Sequence, residues 1–136
     1  MRGADFPDAV ARGAYPLDIH DVARDTNVMS RQVHGRSETF VVLARSYAIP
    51  YRALLPRRPE NLIVAGRCIS ATHEAISSAR GQSVCMATGH AAGTAAALAA
   101  MAGLPPRQLD VARLQETLRK QGAILTLDEE AAPATS

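Results

Sequence analysis

One stretch of small residues constrains the fold more than any other part of this 136-residue chain. It reads RGQSVCMATGHAAGTAAALAA, Arg80 to Ala100, and carries alanine and glycine where a core helix ordinarily carries leucine. We predict a helix from about Ser83 to about Ala102, ended by Gly103. Because its side chains are small, another backbone or a flat ligand can approach it closely. Its N-terminus offers unpaired N–H groups at the positive end of the helix dipole.

A short apolar run precedes this helix and suggests the fold class. NLIVAG, Asn61 to Gly66, is typical of a strand buried on both faces of a parallel sheet, so the predicted class is α/β. Open α/β sheets bind ligands beyond the carboxyl ends of their strands. The polar residues between this predicted strand and the helix are therefore candidates for a binding site: Arg67, Ser70, His73 and Arg80.

The flanking segments give weaker patterns. Residues 1–37 carry scattered glycine and proline, which predicts irregular structure with one short helix over Pro7–Arg12. Thr39–Ala44 is β-branched and apolar, as in a strand. Asp110–Gln121 has the periodicity of an amphipathic helix with Asp110 as its N-cap. The polar residues 128–136 are predicted to be a disordered tail.

Composition excludes several kinds of protein. Hydrophobic residues make up 47% of the chain and charged residues 21%, which indicates a globular protein. The net charge is +2 and no basic run carries interleaved aromatics, so we expect no nucleic-acid partner. The N-terminus has no apolar signal core, and two cysteines make no disulfide framework, so we expect a cytoplasmic protein. With few aromatic side chains, the core is expected to be marginal or to need a partner.

The small-residue helix has two competing interpretations. Val84–Leu104 is nearly uncharged and long enough to span a bilayer, but alanine is almost neutral for insertion and His90 would lie within the span. We therefore expect no membrane segment. The residues from Gly81 to Cys85 resemble the G-x-S-x-G nucleophile elbow but lack its second glycine. Because no predicted strand ends directly before Ser83 either, the pattern does not indicate a nucleophilic serine.

The histidines and cysteines form no recognisable site in the sequence. His20, His34, His73 and His90 lack the spacing of metal ligands, so no metal is predicted. Either Cys68 or Cys85 with a histidine would make a thiol–imidazole pair, but small buried cysteines are the commoner case.

A longer stretch carries a family resemblance. IPYRALLPRRPENLIVAGRCISATHEAISSARGQSVCMATGHAAGTAAALAA resembles the C-terminal segment of FAD-dependent oxidoreductases of the FAD_oxidored family, within the FAD/NAD(P)-binding superfamily. GAYPLDIHD, Gly13–Asp21, resembles the family's Y-P-x-D-x-H element, and the likeness runs from about Phe6 to Leu127. The most specific part is the combination of NLIVAGRCIS with CMATGHAAGTAAAL.

The resemblance implies a fold and a domain organisation. The fold would be an incomplete FAD/NAD(P)-binding, Rossmann-like fold, with a C-terminal strand and the Ala/Gly-rich helix, joined to part of a β-rich substrate domain. Residues 1–58 would belong to the substrate-side β domain and residues 59–104 to the C-terminal portion of the FAD-binding domain. Residues 105–127 would form a closing helix, followed by the tail 128–136.

The resemblance also implies FAD as cofactor and assigns residues to it. Gly66 and Arg67 would approach the ribityl and pyrophosphate part, and the helix N-terminus would face the N1 and C2 edge of the isoalloxazine. Of the two arginines, Arg67 is preferred over Arg80 as a contributor of positive charge. The implied cofactor-binding residues are Gly66, Arg67, Ser70, Arg80, Ser83, Val84 and Cys85. The catalytic candidates on the substrate side are His73, His20 and Arg52, with Tyr51 as a further polar candidate.

The chain departs from the family at two places. Relatives tend to have proline where this chain has Ser83, which can cap the helix instead. No strand followed by G-x-G-x-x-G is present, although that turn holds the ADP half of FAD. We therefore expect the C-terminal part of an FAD-dependent oxidoreductase acting on an unidentified small-molecule substrate. Its partner would be an N-terminal FAD-binding half or another chain, and a homo-oligomer remains open. The alternative is a cofactor-free remnant or interaction module without activity of its own.

Overall fold

The computed structural model of the chain describes residues 5–21, 30–33 and 36–131. Within these ranges, short strands come first and helices follow. The strands are β1 (Ala9–Gly13), β2 (Leu17–Asp21), β3 (Ser30–Val33), β4 (Arg36–Val41) and β5 (Tyr47–Pro50). The α-helices are α1 (His73–Ala79), α2 (Gln82–Ala102), α3 (Val111–Lys120) and α4 (Leu127–Ala131), and 3₁₀ turns cover Tyr51–Leu54, Gly66–Cys68 and Pro106–Gln108.

The described strands form two small antiparallel sheets. β1 pairs with β5, with Ala11 opposite Ile49, and its register is irregular between Ala9 and Ala11. β4 lies between β2 and β3, with Leu17 opposite Val41. The structure is thus a mixture of helices and small sheets, consistent with the predicted α/β class.

The prediction for residues 1–37 was wrong where the structure describes them. β1 replaces the expected helix over Pro7–Arg12, and β2 occupies Leu17–Asp21. Ala9, Val10 and Ala11 are all buried, because β1 pairs with β5 at its edge and packs against α2 and α3. Tertiary burial therefore overrides the glycine and proline signals, which only report local preference.

The strand predicted for Asn61–Gly66 was also wrong. The segment has no ladder in the described structure, and Val64 N–H donates instead to the carbonyl of Leu54 at 2.9 Å. A continuous apolar run forms a strand only when neighbouring strands receive its backbone groups, and no described strand lies beside it. Leu62 is 44% exposed as a result.

Two other boundaries were wrong. The strand expected over Thr39–Ala44 is β4, which begins earlier and ends at Val41. The tail expected from residue 128 begins within α4, while residues 132–136 lie outside the described residues. α4 starts with a capping box, since Glu129 N–H donates to Thr126 Oγ1 and Thr126 N–H donates to Glu129 Oε2, both at 3.2 Å.

The two longest predicted helices are confirmed to within about one residue. α2 begins after Gly81 and ends at Gly103, which takes the left-handed conformation with φ of 64°. α3 begins at Asp110, whose Oδ1 accepts from Ala112 N–H at 2.9 Å, and Gly122 follows it with φ of 84°.

The core is one continuous hydrophobic cluster. α2 contributes a narrow buried face, and no described atom lies within 4 Å of a Cβ built at Gly89 or Gly93 on its other side. The cluster's members come from β1, β5, the connecting turns and α1 to α3, together with Leu125: Val10, Ala11, Ile49, Tyr51, Leu54, Ile69, Ala79, Val84, Ala91, Ala95, Leu98, Leu109, Leu114, Leu118 and Leu125. It joins residues on both sides of the domain boundary predicted after residue 58.

Candidate functional site

A cleft of about 450 Å³ lies at the N-terminus of α2. Four parts of the fold meet at this cleft: the loop that follows β1, strand β2, the 3₁₀ turn that begins at Gly66, and the junction between α1 and α2. The residues that line it are Tyr15, Asp18, Arg67, Arg80, Gly81 and Gln82.

The N-terminus of α2 is open toward this cleft. Gly81 is the N-cap and has no side chain to receive a helix amide, and the first turn has no acidic residue. The first intrahelical bond is donated by Cys85 N–H to Gly81 O at 2.9 Å. The amides of Gln82, Ser83 and Val84 therefore have no intrahelical acceptor, and they mark the positive end of a 21-residue helix.

The turn Gly66–Cys68 is fixed against the first two turns of α2. Gly66 has φ of 63°, and a Cβ there would lie 3.5 Å from Cys85 Sγ. Its N–H donates to Thr88 Oγ1 at 3.0 Å, and Thr88 Oγ1 donates to Val84 O at 2.9 Å. These bonds hold the next residue, Arg67, at the cleft.

The two arginines of the cleft differ in their partners. Arg80 Nη2 donates to both the carbonyl and Oδ2 of Asp18, each at 3.0 Å. Arg67 is exposed and donates only a long 3.5 Å bond from Nε to Arg80 O. In the part of the chain that the structure describes, no carboxylate pairs with Arg67. Arg67 therefore has the positive charge available to a ligand, while Asp18 offsets that of Arg80.

Of the seven predicted cofactor residues, Arg67 and Arg80 line the cleft, while Gly66 lies in the adjoining 3₁₀ turn and Ser83, Val84 and Cys85 lie in the first turn of α2. Cys85 cannot offer its amide to a ligand, because that N–H is already bonded to Gly81 O. Ser70 does not line the cleft. Its N–H donates to Ala53 O at 2.8 Å, and it borders a separate apolar depression of about 210 Å³.

The catalytic candidates do not converge. Arg52 is paired with Asp8 and stacks over the ring of Phe6 at 4.8 Å. Tyr51 is buried and donates to Pro106 O at 2.9 Å. His73 is the exposed first residue of α1 and is not part of the cleft lining. The backbone of His20 lies in β2, and its side chain is outside what the structure describes.

Four of the six residues that line the cleft are absent from the predicted site residues: Tyr15, Asp18, Gly81 and Gln82. The ring of Tyr15 lies 3.2 Å from where a Cβ of Gly81 would stand, and Asp18 holds Arg80. Both belong to GAYPLDIHD, so the motif pointed to them without giving them a role. The structure shows that this element packs against the junction of α1 and α2.

Two further observations concern metals and membranes. In residues 5–21, 30–33 and 36–131, no group of three His, Cys, Asp or Glu side chains could hold a metal ion. α2 is long and apolar enough to cross a membrane by length and composition alone, a test that core helices of soluble proteins also pass. One face of α2 forms part of the core, so this is weak evidence for a membrane span.

An open helix end beside an unpaired arginine is the kind of site that receives a negatively charged or carbonyl-bearing ligand. In the comparison with protein families, residues 1–118 match the family described as FAD dependent oxidoreductase, and the chain belongs to that family. FAD is the cofactor that the family name indicates. No curated protein and no solved structure matches the chain.

Proposed function

We propose that this chain is the C-terminal part of an FAD-dependent oxidoreductase and that its cleft receives the pyrimidine edge of the flavin. The observation that carries the proposal is the uncapped N-terminus of α2 beside Arg67, which has no carboxylate partner among the described residues, in a chain of an FAD-dependent family. The proposed substrate is a small molecule, and the proposed location is the cytoplasm.

The residues of the cleft fit a flat ring that carries carbonyl groups. A side chain at Gly81 would meet the Tyr15 ring at 3.2 Å and Ser78 O at 3.4 Å, so glycine keeps the approach to the helix end open. The amides of Gln82, Ser83 and Val84 are donors for a carbonyl edge, and Arg67 adds a cation. These four residues would hold the ring edge.

FAD, when bound, supplies a ring system that accepts a hydride or an electron pair from a substrate. The chain's own contribution is electrostatic. The positive end of α2 and the Arg67 guanidinium would stabilise negative charge on the reduced ring, which would favour electron uptake. Arg80 contributes less because Asp18 is its partner.

The finer organisation is part of the same proposal. Residues 59–104 would be the C-terminal portion of an incomplete Rossmann-like FAD-binding domain, residues 1–58 part of the substrate-side β domain, and residues 105–127 a closing segment. A partner half would supply the dinucleotide-binding turn. Support comes from the family match and from the position of the cleft between residues of both proposed parts.

FAD titration of arginine variants tests the proposal. The protein is expressed with any adjoining coding sequence, and FAD binding is followed by visible absorbance and flavin fluorescence. Arg67→Gln removes the unpaired cation and is expected to raise the Kd by about tenfold, the effect of losing one charged hydrogen bond. Arg113→Gln removes an exposed arginine of α3 and should leave the Kd unchanged. A folded wild-type protein that takes up no flavin would contradict the proposal.

A cofactor-free interaction module is the second candidate. A shallow groove of about 560 Å³ lies between Ile63 and the alanine face of α2 and is lined mostly by apolar groups. A folded chain that binds another protein through this groove and takes up no flavin would favour this function over the first.

A further inference from the structure

We infer that Tyr15 is a wall of the flavin cleft and that a part-buried hydrogen-bond relay from Tyr47 through Ser78 holds it there. The inference deepens the proposed function and depends on it. Tyr15 is 41% exposed and lines the cleft beside Gly81 and Gln82, so its ring is available to a flat ligand. An aromatic ring in that position would contact the isoalloxazine.

Each hydroxyl has one proton to donate, which determines the donor and the acceptor in each hydrogen bond of the relay. Ser78 Oγ donates to the carbonyl of Tyr15, which uses its single proton. Ser78 Oγ also lies 2.7 Å from the Tyr47 hydroxyl, so Tyr47 must be the donor in that bond. Ser78 is 1% exposed, so replacing it would leave the Tyr15 carbonyl without this donor, and replacing the Tyr47 hydroxyl would remove the hydrogen bond that Ser78 Oγ accepts.

Two glycines make room for this arrangement. A Cβ at Gly13 would stand 2.7 Å from both Cζ and the hydroxyl oxygen of Tyr47, so only glycine lets the Tyr47 ring cross the end of β1. At the other end of the relay, the Tyr15 ring packs directly on Gly81. The element GAYPLDIHD thus provides the space for the relay at Gly13 and its acceptor at Tyr15.

The relay connects three separate parts of the fold. Tyr47 lies on β5, Ser78 in α1 and Tyr15 in the loop between β1 and β2. Burial raises the pKa of the Tyr47 phenol above its ordinary value and outweighs the opposing effect of the Ser78 bond. The hydroxyl therefore stays protonated at neutral pH and can act as the donor. Tyr47 and Ser78 are positioning residues, since they act on the cleft through Tyr15.

Riboflavin fluorescence tests the inference with the full chain. Riboflavin carries the isoalloxazine without the phosphates, so its binding does not depend on a grip on the ADP half. We expect the wild-type chain to quench bound riboflavin, because a tyrosine ring stacks on it. Tyr15→Leu should restore the emission of the bound ligand. Tyr47→Phe keeps the ring but removes the donor, and should weaken Kd by about two- to fivefold and restore part of the emission.

The controls separate this inference from general instability. Tyr51→Phe removes another buried tyrosine hydroxyl, one that donates to Pro106 O, and should change neither Kd nor emission. Ser78→Ala breaks the relay at a second point and should reproduce Tyr47→Phe, with folding of all variants checked by circular dichroism. Quenching that is unchanged in Tyr15→Leu or in both relay variants would overturn the inference alone. A wild-type chain that binds no riboflavin would overturn the proposed function together with it.

Discussion

The backbone needs glycine at some positions of this chain and would accept a side chain at others. Gly66 has φ of 63° beside Cys85, a conformation that costs an alanine about 1–2 kcal/mol. Gly89 is helical, and no described atom would meet a side chain there. Only the first position requires glycine for the described structure, although both belong to the segment that resembles the family.

Replacing each of these glycines by alanine should have opposite effects. Gly66→Ala should lower the free energy of unfolding by about 1–2 kcal/mol, because it strains the turn that holds Arg67. Gly89→Ala should raise it by about 0.5–1 kcal/mol, because alanine restricts the unfolded chain and favours helix. Urea unfolding followed by circular dichroism measures both, and equal effects would contradict the assignment of the positive φ.

Thr88 is a second residue whose substitution should be informative. Its side chain is fully buried and connects the Gly66 amide to α2. Thr88→Val keeps the shape but leaves the Gly66 N–H without an acceptor, so we expect a loss of about 1–2 kcal/mol in unfolding free energy. Thr117→Val is the matched control, because that hydroxyl bonds only to Arg113 O within its own helix. A loss as large in the control would assign the effect to helix propensity.

At the scale of elements, α3 and α4 are joined by one carboxylate. Glu129 accepts bonds from Arg119 Nε at 2.6 Å and from Leu125 N–H at 2.6 Å, in addition to the capping box with Thr126. Burial, the largest single influence, opposes ionisation of Glu129, but the donors together outweigh it and lower its pKa.

This lowered pKa predicts a pH dependence with a defined sign. Because the folded pKa lies below the ordinary 4.5, the contribution of Glu129 to stability is complete above that value and is lost as pH falls through the folded pKa. Thermal melts from pH 7 to pH 3 should therefore show a steeper fall for the wild type than for Glu129→Gln. Glu116→Gln is the control, since its bond to Lys120 is fully exposed and contributes little. Parallel curves for wild type and Glu129→Gln would contradict the role of the carboxylate.

The sequence predicted the two longest helices, α2 and α3, better than the strands, for a physical reason. α2 and α3 begin and end at residues whose effect is local, such as Gly103 and the N-cap Asp110. β1 is a strand because it lies between β5 and the helices, and NLIVAG is not one because it has no neighbour. Both outcomes depend on partners distant in sequence, which periodicity does not report.

The same reasoning applies to the candidate site. The sequence predicted a binding site at the helix N-terminus, because glycine and a change of pattern mark that end, and the structure has a cleft there. It could not distinguish Arg67 from Arg80 by their partners, since Asp18 is 62 residues away from Arg80 in the chain. Nor could it show that the Cys85 amide is used within the helix.

At the scale of the whole molecule, an apolar surface remains open along α2. The groove beside Ile63 continues to Leu104, and Met101 nearby is 73% exposed. Contiguous apolar surface of this kind promotes association.

We expect the isolated chain to self-associate at micromolar concentration, with an average mass that rises with concentration in sedimentation velocity. Met101→Gln combined with Leu104→Gln should lower the associated fraction, because it places polar groups at the rim of the groove. Arg107→Gln, which changes an exposed residue outside the groove lining, is the control. A monodisperse monomer that melts cooperatively would contradict this expectation.

One hydrophobic core joins the N-terminal strands to the C-terminal helices. Gln115 of α3 donates to the carbonyls of Pro7 and Ala9, both at 2.9 Å. The core also includes the buried Leu125, which lies beyond the end of the family match at residue 118. A protease that cuts after the exposed Arg57 would therefore sever the backbone without separating the pieces, because β1 stays packed between α2 and α3. The two fragments would hold one another as a non-covalent complex, and neither would carry a complete interior of its own.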